Sequence, residues 1–354
     1  MTATDRLPGP GQGSGSESAG AATDAGAATD AGAGPGLGLG ADSRPGRRTA
    51  TRAPAPVGSV RAARASRRRR RAMALLYVLP ALLPYTLFAV LPALHTAYLS
   101  LFDWDGVTLP SFVGLDNYRR IGADPQLRAA AWHAGALIVF FSLLPICVGL
   151  VAAAIVSRRS GRRGTVLVRT VLFLPQVIPL VAVAIIWRWV YADDGTLNQG
   201  LRAVGLGRLA DSWLGSFTWA LPAVGLIGSW VVSGLCMVLF LSGTQRIDQE
   251  IYEAARMDGA GPVREFRSIT VPLLRPEIAV ALSITVIAAL SSFDLIYMTT
   301  GGGPGTSTVV PGILVYRLAF GGGAVGLASA LAVVLTAVIA VVVLVINRLA
   351  REKS

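Results

Sequence analysis

The chain has 354 residues, 53% hydrophobic and 15% charged, with a formal net charge of +12. Its only lysine is Lys353, which excludes a Gly-Lys-Ser/Thr phosphate loop anywhere in the chain. Two cysteines (Cys147, Cys236) and two histidines (His95, His133), with no HExxH or paired Cys/His spacing, exclude a disulfide framework and a zinc cluster, so no cofactor or metal site is expected in this chain.

Residues 1–71 are rich in Gly, Ala, Ser, Asp and Arg and nearly free of large apolar side chains. Such a segment buries too little surface to offset its ordering entropy, and it is expected to be a disordered basic tail. The tandem AGAATD at 19–24 and 25–30 is low complexity rather than a structural repeat. The tail holds 12 of the 32 basic residues and ends in Arg67 to Arg71. A basic run just before a long apolar segment sets membrane orientation and meets anionic lipid. No aromatic-rich basic fold accompanies it, which argues against nucleic-acid binding.

A helical span needs about 20 apolar residues. Six stretches qualify, at 73–101, 130–156, 167–191, 219–243, 277–299 and 324–347, so residues 72–354 are expected to form one all-α, polytopic membrane domain. The first stretch is too long for the apolar core of a signal peptide, roughly 7–15 residues, and reads as a retained span. Pro175 and Pro179 interrupt the third, which is tolerated where neighbours or a cavity satisfy the freed backbone groups. Arg188 lies near the end of that span beside Trp187 and Trp189 and reads as a snorkelling anchor. Gln176, Ser229, Ser233, Ser291, Ser292 and Thr299 add polar groups at membrane depth, with Trp230, Phe293 and Tyr297 as aromatic neighbours. Together they suit a solute rich in hydroxyls, or they only join helices. Asp294 is the clearest intramembrane charge: it either borders a solute path, one turn from Tyr297, or bonds another helix.

Between the fourth and fifth spans lies a polar segment with helix signals. Asp248 can cap a helix whose face carries Ile251, Ala254 and Ala255, and Gly259 can end it. Gly261-Pro262 restarts a short helix, and Pro272 is expected to break it. The small residues Ala254, Ala255 and Gly259 would let the backbone of a soluble partner approach closely. With both termini in the cytoplasm, cytoplasmic segments hold 25 of the basic residues and the remainder 7, as the positive-inside rule requires. That places this segment in the cytoplasm.

The segment from Glu253 to Pro272 (EAARMDGAGPVREFRSITVP) resembles the EAA loop of ABC importer permeases, through Glu253, Ala254, Ala255, Asp258, Gly259, Ile269 and Pro272; Val271 stands where Leu is commoner. FVGLDNYRR at 112–120, the run from Leu172 to Leu201, and FDLIYMTTGGGPGTST at 293–308 are similar to the carbohydrate branch of that family, the maltose and glycerol-3-phosphate type, and its first permease in particular. The resemblance implies a multi-pass bacterial cell-membrane subunit with no catalysis of its own. It further implies a second, similar permease, two cytoplasmic ABC ATPases, an extracellular solute-binding lipoprotein and a sugar-like solute. Glu253, Ala254, Ala255, Asp258 and Gly259 would then couple to the ATPase, while Gln176, Trp230, Ser233, Phe293, Asp294 and Tyr297 are candidates for the path. Without the resemblance, an ion-coupled secondary transporter or a channel is the alternative, though neither an ion site nor inverted repeats are found.

Overall fold

A computed structural model describes residues 73, 77–158 and 162–351. The expected tail and its arginine run lie outside the described residues. Among the described residues the regular structure is helical apart from one two-stranded hairpin, in which Phe102–Asp103 (β1) pairs antiparallel with Ser111–Phe112 (β2).

Among the described residues four helices are long and apolar enough to cross a membrane: α1 (Tyr77–Leu99), α3 (Pro125–Ser157), α7 (Ala220–Thr244) and α13 (Val325–Arg351). Short α2 (Asp116–Ala123) precedes α3, and α6 (Thr196–Ala203) follows the third apolar stretch. The third and fifth stretches are not single helices. The third is α4 (Arg162–Val177) followed by α5 (Leu180–Val190), and the axes of its apolar part, Val166–Val177, and of α5 differ by 102°. Pro175 stays inside α4, and it is Pro179, in extended backbone before α5, that marks the break. The fifth stretch begins as α10 (Arg275–Leu290), stops at Ser291–Phe293, and resumes as α11 (Asp294–Thr299). Two bent pairs, α4 with α5 and the helical segment Pro262–Leu273 with α10, bring the total to as many as six when each is counted as one span. Helix α12 (Pro311–Phe320), started by Pro311 in its first turn, lies in what the sequence suggests is an external loop.

Helix α7 is the centre of the core: 67% of its apolar window is buried, against none of the window in α1, which presents its side chains outward. Glycines make this packing possible. Gly225 and Gly228 receive the rings of Phe140 and Phe141 from α3, and Gly234 lies against the backbone of Leu172 in α4, where a side chain would clash. Hydroxyls tie α3 to both α7 and α10. Ser229 Oγ donates to the carbonyl of Phe140, and Thr285 Oγ1 to Ser142 Oγ at 2.8 Å.

Two buried asparagines tie the loops at one end of the bundle. Asn117 Nδ2 donates to the carbonyls of Ser100 (2.9 Å) and Phe102 (2.8 Å), fixing the hairpin. Within the hairpin turn, the backbone N–H groups of Val107 and Thr108 bond Asp105 and hold its carboxyl below the ordinary carboxylate range. Asn198, 1% exposed, donates to the carbonyls of Ala192, Asp193 and Asp211 at 3.2, 3.3 and 2.9 Å, and its Oδ1 accepts from the indole of Trp213 at 2.9 Å. Asn198→Ala should therefore cost about 2–3 kcal/mol, since buried groups would be left unpaired. Thermal unfolding in detergent checks this, and a melting temperature equal to wild type would show that water replaces the amide.

Candidate functional site

The segment between α7 and α10 folds as an αα-hairpin. Helix α8 (Gln249–Met257) begins where expected, with extended backbone at Asp248, but the Asp248 side chain makes no capping hydrogen bond. Gly259 ends it at φ +75. Its N–H bonds the carbonyl of Arg256 at 3.0 Å and the Ala260 N–H bonds that of Ala255 at 2.9 Å, which together form a Schellman closure. Gly261 and Pro262 then start α9 (Pro262–Leu273), which contains a π-helical turn at Phe266–Thr270. Pro272 does not break this helix. The break falls at Leu274, where α9 and α10 bend by 71° and Pro276 opens α10.

No residue of α8 is buried. Glu253, Ala254, Asp258 and Gly259 are exposed and Ala255 is half-buried. Met257 (89%) and Val263 (78%) also stand open. Small residues flanked by exposed apolar ones form a surface suited to another protein.

The second feature is a cavity of about 310 Å³ at the place where both broken stretches break. Gln176 and Ile178 reach it from the α4–α5 break, and Ser291, Ser292, Phe293 and Asp294 from the α10–α11 break, with Gly228, Val231 and Val232 of α7 as one wall. Backbone that leaves helical geometry at membrane depth is tolerated where it lines such a space. Asp294 is the first residue of α11, exposed, and has no hydrogen bond or ion pair among the described residues. The hydroxyls of Ser291 and Ser292 donate to their own helix, to Ile287 (2.6 Å) and Ala289 (2.7 Å), so toward the cavity they offer acceptor lone pairs.

Of the residues expected on the path, Gln176, Phe293 and Asp294 gather at this cavity. Trp230 and Ser233 are not among its lining. Trp230 meets Trp187 edge-on at 5.6 Å, and buried Ser233 bonds the carbonyl of Trp230 at 2.9 Å. Tyr297 does not line it either, but it stacks on Phe293 at 5.1 Å and 20°. Two rings not singled out from the sequence continue the aromatic cluster: Tyr316, edge-on 5.2 Å from Tyr297, and Phe320, tilted 5.3 Å from Tyr316. The proline at the start of α12, and rings four residues apart after it, are the signal that would have found them.

The glycine-rich run after α11 is a tied turn rather than a loose loop. Arg317 donates to the carbonyl of Gly301 at 2.7 Å and Thr308 to that of Gly303 at 2.8 Å. Arg188 lies beside this turn at a cleft that Asp193 and Asp194 also line.

Residues 145–353, more than half the chain, match the family described as "Binding-protein-dependent transport system inner membrane component". The chain is 35% identical over 261 residues to the probable ABC transporter permease YurN of Bacillus subtilis, covering 73% of this chain and 89% of that one. It is 33% identical to the sulfoquinovosyl glycerol transport permease SmoG of Agrobacterium fabrum, covering 80% and 92%. Identity is also 33% to the trehalose/maltose transport permease MalF of Thermococcus litoralis, covering 78% and 94%. A crystal structure of a bacterial ABC transporter that imports alginate contains a chain of the same fold, with a TM-score of 0.68 and 22% identity over 80% of this chain and 96% of that one. An exposed αα-hairpin, apolar helices broken around a cavity and this set of relatives lead to one assignment: the chain is a multi-pass membrane permease belonging to the family of inner-membrane components of binding-protein-dependent ABC transport systems.

Proposed function

We propose that this permease passes a sugar or sugar-like solute into the cytoplasm, through a route that includes the cavity at the two helix breaks. The observation that carries the reading is the meeting of those breaks at one partly polar cavity, with a carboxylate and an aromatic stack at its edge. A sugar offers hydroxyls to Asp294 and Gln176 and an apolar ring face to Phe293 and Tyr297. The relatives include permeases of trehalose/maltose and sulfoquinovosyl glycerol systems, which favours a carbohydrate cargo. The α8–α9 hairpin is the surface for a cytoplasmic ATPase, with Glu253, Ala254, Ala255, Asp258 and Gly259 at the contact. A second, similar permease, two ATPases and an external binding protein complete the importer. An alginate transporter of this fold is known in complex with a periplasmic protein carrying an alginate pentasaccharide, which supports the last of these partners. ATP draws the ATPases together, the hairpins move with them, and the path opens outward to receive solute; hydrolysis resets it. This chain performs no chemistry.

The test is a thermal-shift screen of the cognate binding protein against carbohydrates and their derivatives, followed by uptake of the hit in cells with and without this chain. A sugar that stabilises the binding protein and enters only when the chain is present is the expected result. Undiminished uptake of that sugar without the chain would overturn the assignment.

A further inference from the structure

The α8–α9 hairpin is held by two side-chain pairs that the coupling motif does not include. Tyr252 Oη and Thr270 Oγ1 are 3.0 Å apart, and Arg256 Nε bonds Glu265 Oε1 at 3.1 Å. Tyr252 and Arg256 are four residues apart and share one face of α8. Glu265 and Thr270 are five apart, a spacing that a regular α-helix would turn to different faces. The π turn at Phe266–Thr270, closed by an i→i+5 hydrogen bond, brings them nearer to one face, and Thr270 Oγ1 also reaches the Glu265 carbonyl at 3.5 Å. The π turn therefore matches the two faces of the hairpin. On the α9 side both partners are shielded: Glu265 is 2% exposed and Thr270 3%. Beyond α9, the chain runs through the bend at Leu274 into α10, whose far end is the cavity wall at Ser291 and Ser292.

We propose that Tyr252–Thr270 and Arg256–Glu265 form a two-point clasp that joins the coupling helix to α9 as one body, so that a displacement of α8 is delivered to α10 and the cavity instead of being absorbed at the Gly259 turn. The four are positioning residues: they touch neither solute nor nucleotide. This inference rests on the proposal that α8 seats on a partner ATPase. The turn at Gly259–Gly261 is otherwise a compliant joint between two short helices, and without the clasp α8 can swing while α9 stays still.

The experiment uses the complete importer in proteoliposomes with its loaded binding protein. It measures solute moved per ATP hydrolysed, together with ATPase co-purification. Tyr252→Phe removes a single oxygen from a half-buried ring, and Arg256→Gln keeps most of the side chain. The double variant should co-purify with its ATPases at the wild-type ratio while solute per ATP falls about tenfold, the size of a typical coupling between sites. Reversing the ion pair, Arg256→Glu with Glu265→Arg, should recover part of what Arg256→Glu alone loses. Solute per ATP within about twofold of wild type in the double variant, well under such a coupling, overturns the clasp. Gly259→Asp in the same assay separates the underlying reading: if it leaves ATPase co-purification and uptake unchanged, the docking assignment fails, whatever the clasp variants do.

Discussion

Gly259→Asp is expected to abolish uptake while the chain still assembles in the membrane with its sister permease. The residue sits at φ +75 and closes the Schellman turn after α8. A β-carbon built there meets nothing within 4 Å, so the chain itself has room for a side chain. The intramolecular cost is thus confined to the left-handed backbone, about 1 kcal/mol, and smaller for Asp or Asn because their short polar side chains bond locally. That is too little to unfold a membrane bundle whose core lies elsewhere. On the docking proposed above, loss of uptake then arises at the contact with the ATPase, from crowding and from a second carboxylate beside Asp258. Gly259→Asn separates the two causes. It tolerates the backbone and carries no charge, so it too should fail if crowding dominates. Uptake and ATPase co-purification at equal protein abundance are the measurements, and wild-type uptake in Gly259→Asp would overturn the assignment.

The hairpin was legible because its signals are local. A helix start at Asp248, a glycine stop at Gly259 and a Gly-Pro restart each act within a few residues, and the structure places the elements accordingly. Of the three prolines expected to interrupt helices, only Pro179 does so. Pro175 and Pro272 lie inside helical segments, and the breaks fall at Pro179 and Leu274. A proline breaks a helix only where the carbonyl it frees finds no other partner, and that depends on neighbours distant in the chain. Apolar runs announced the membrane helices, since about 20 such residues in a row have few other uses. The cavity was not legible, because it needs the break after Val177 and the break after Leu290 at the same place. Successive residues on a helix turn by roughly 100°, which is why Val231 and Val232 of α7 face the cavity while Trp230, chosen for its ring, packs on Trp187.

Asp294→Asn is expected to lower uptake about tenfold at limiting solute, and Asp294→Leu by more, with the basal ATPase rate of the assembled importer unchanged. The carboxylate makes one charge-assisted hydrogen bond to a solute hydroxyl, worth about 1.5–3 kcal/mol, of which a neutral amide keeps about 1 kcal/mol. The rival role, a structural bond to another helix, needs a partner, and Asp294 has no hydrogen bond or ion pair among the described residues. It stands at the first position of α11, exposed at the cavity edge, with Phe293 beside it and Tyr297 one turn on. Its one structural contribution is a negative charge at a helix start, typically under 1 kcal/mol, so the melting temperature should hardly move in Asp294→Asn. Melting temperature and uptake must therefore be measured on the same preparations. Uptake that falls while stability holds places Asp294 on the solute path. A melting temperature that falls in step with uptake would instead make it a structural residue, bonded to a partner that only the assembled importer supplies.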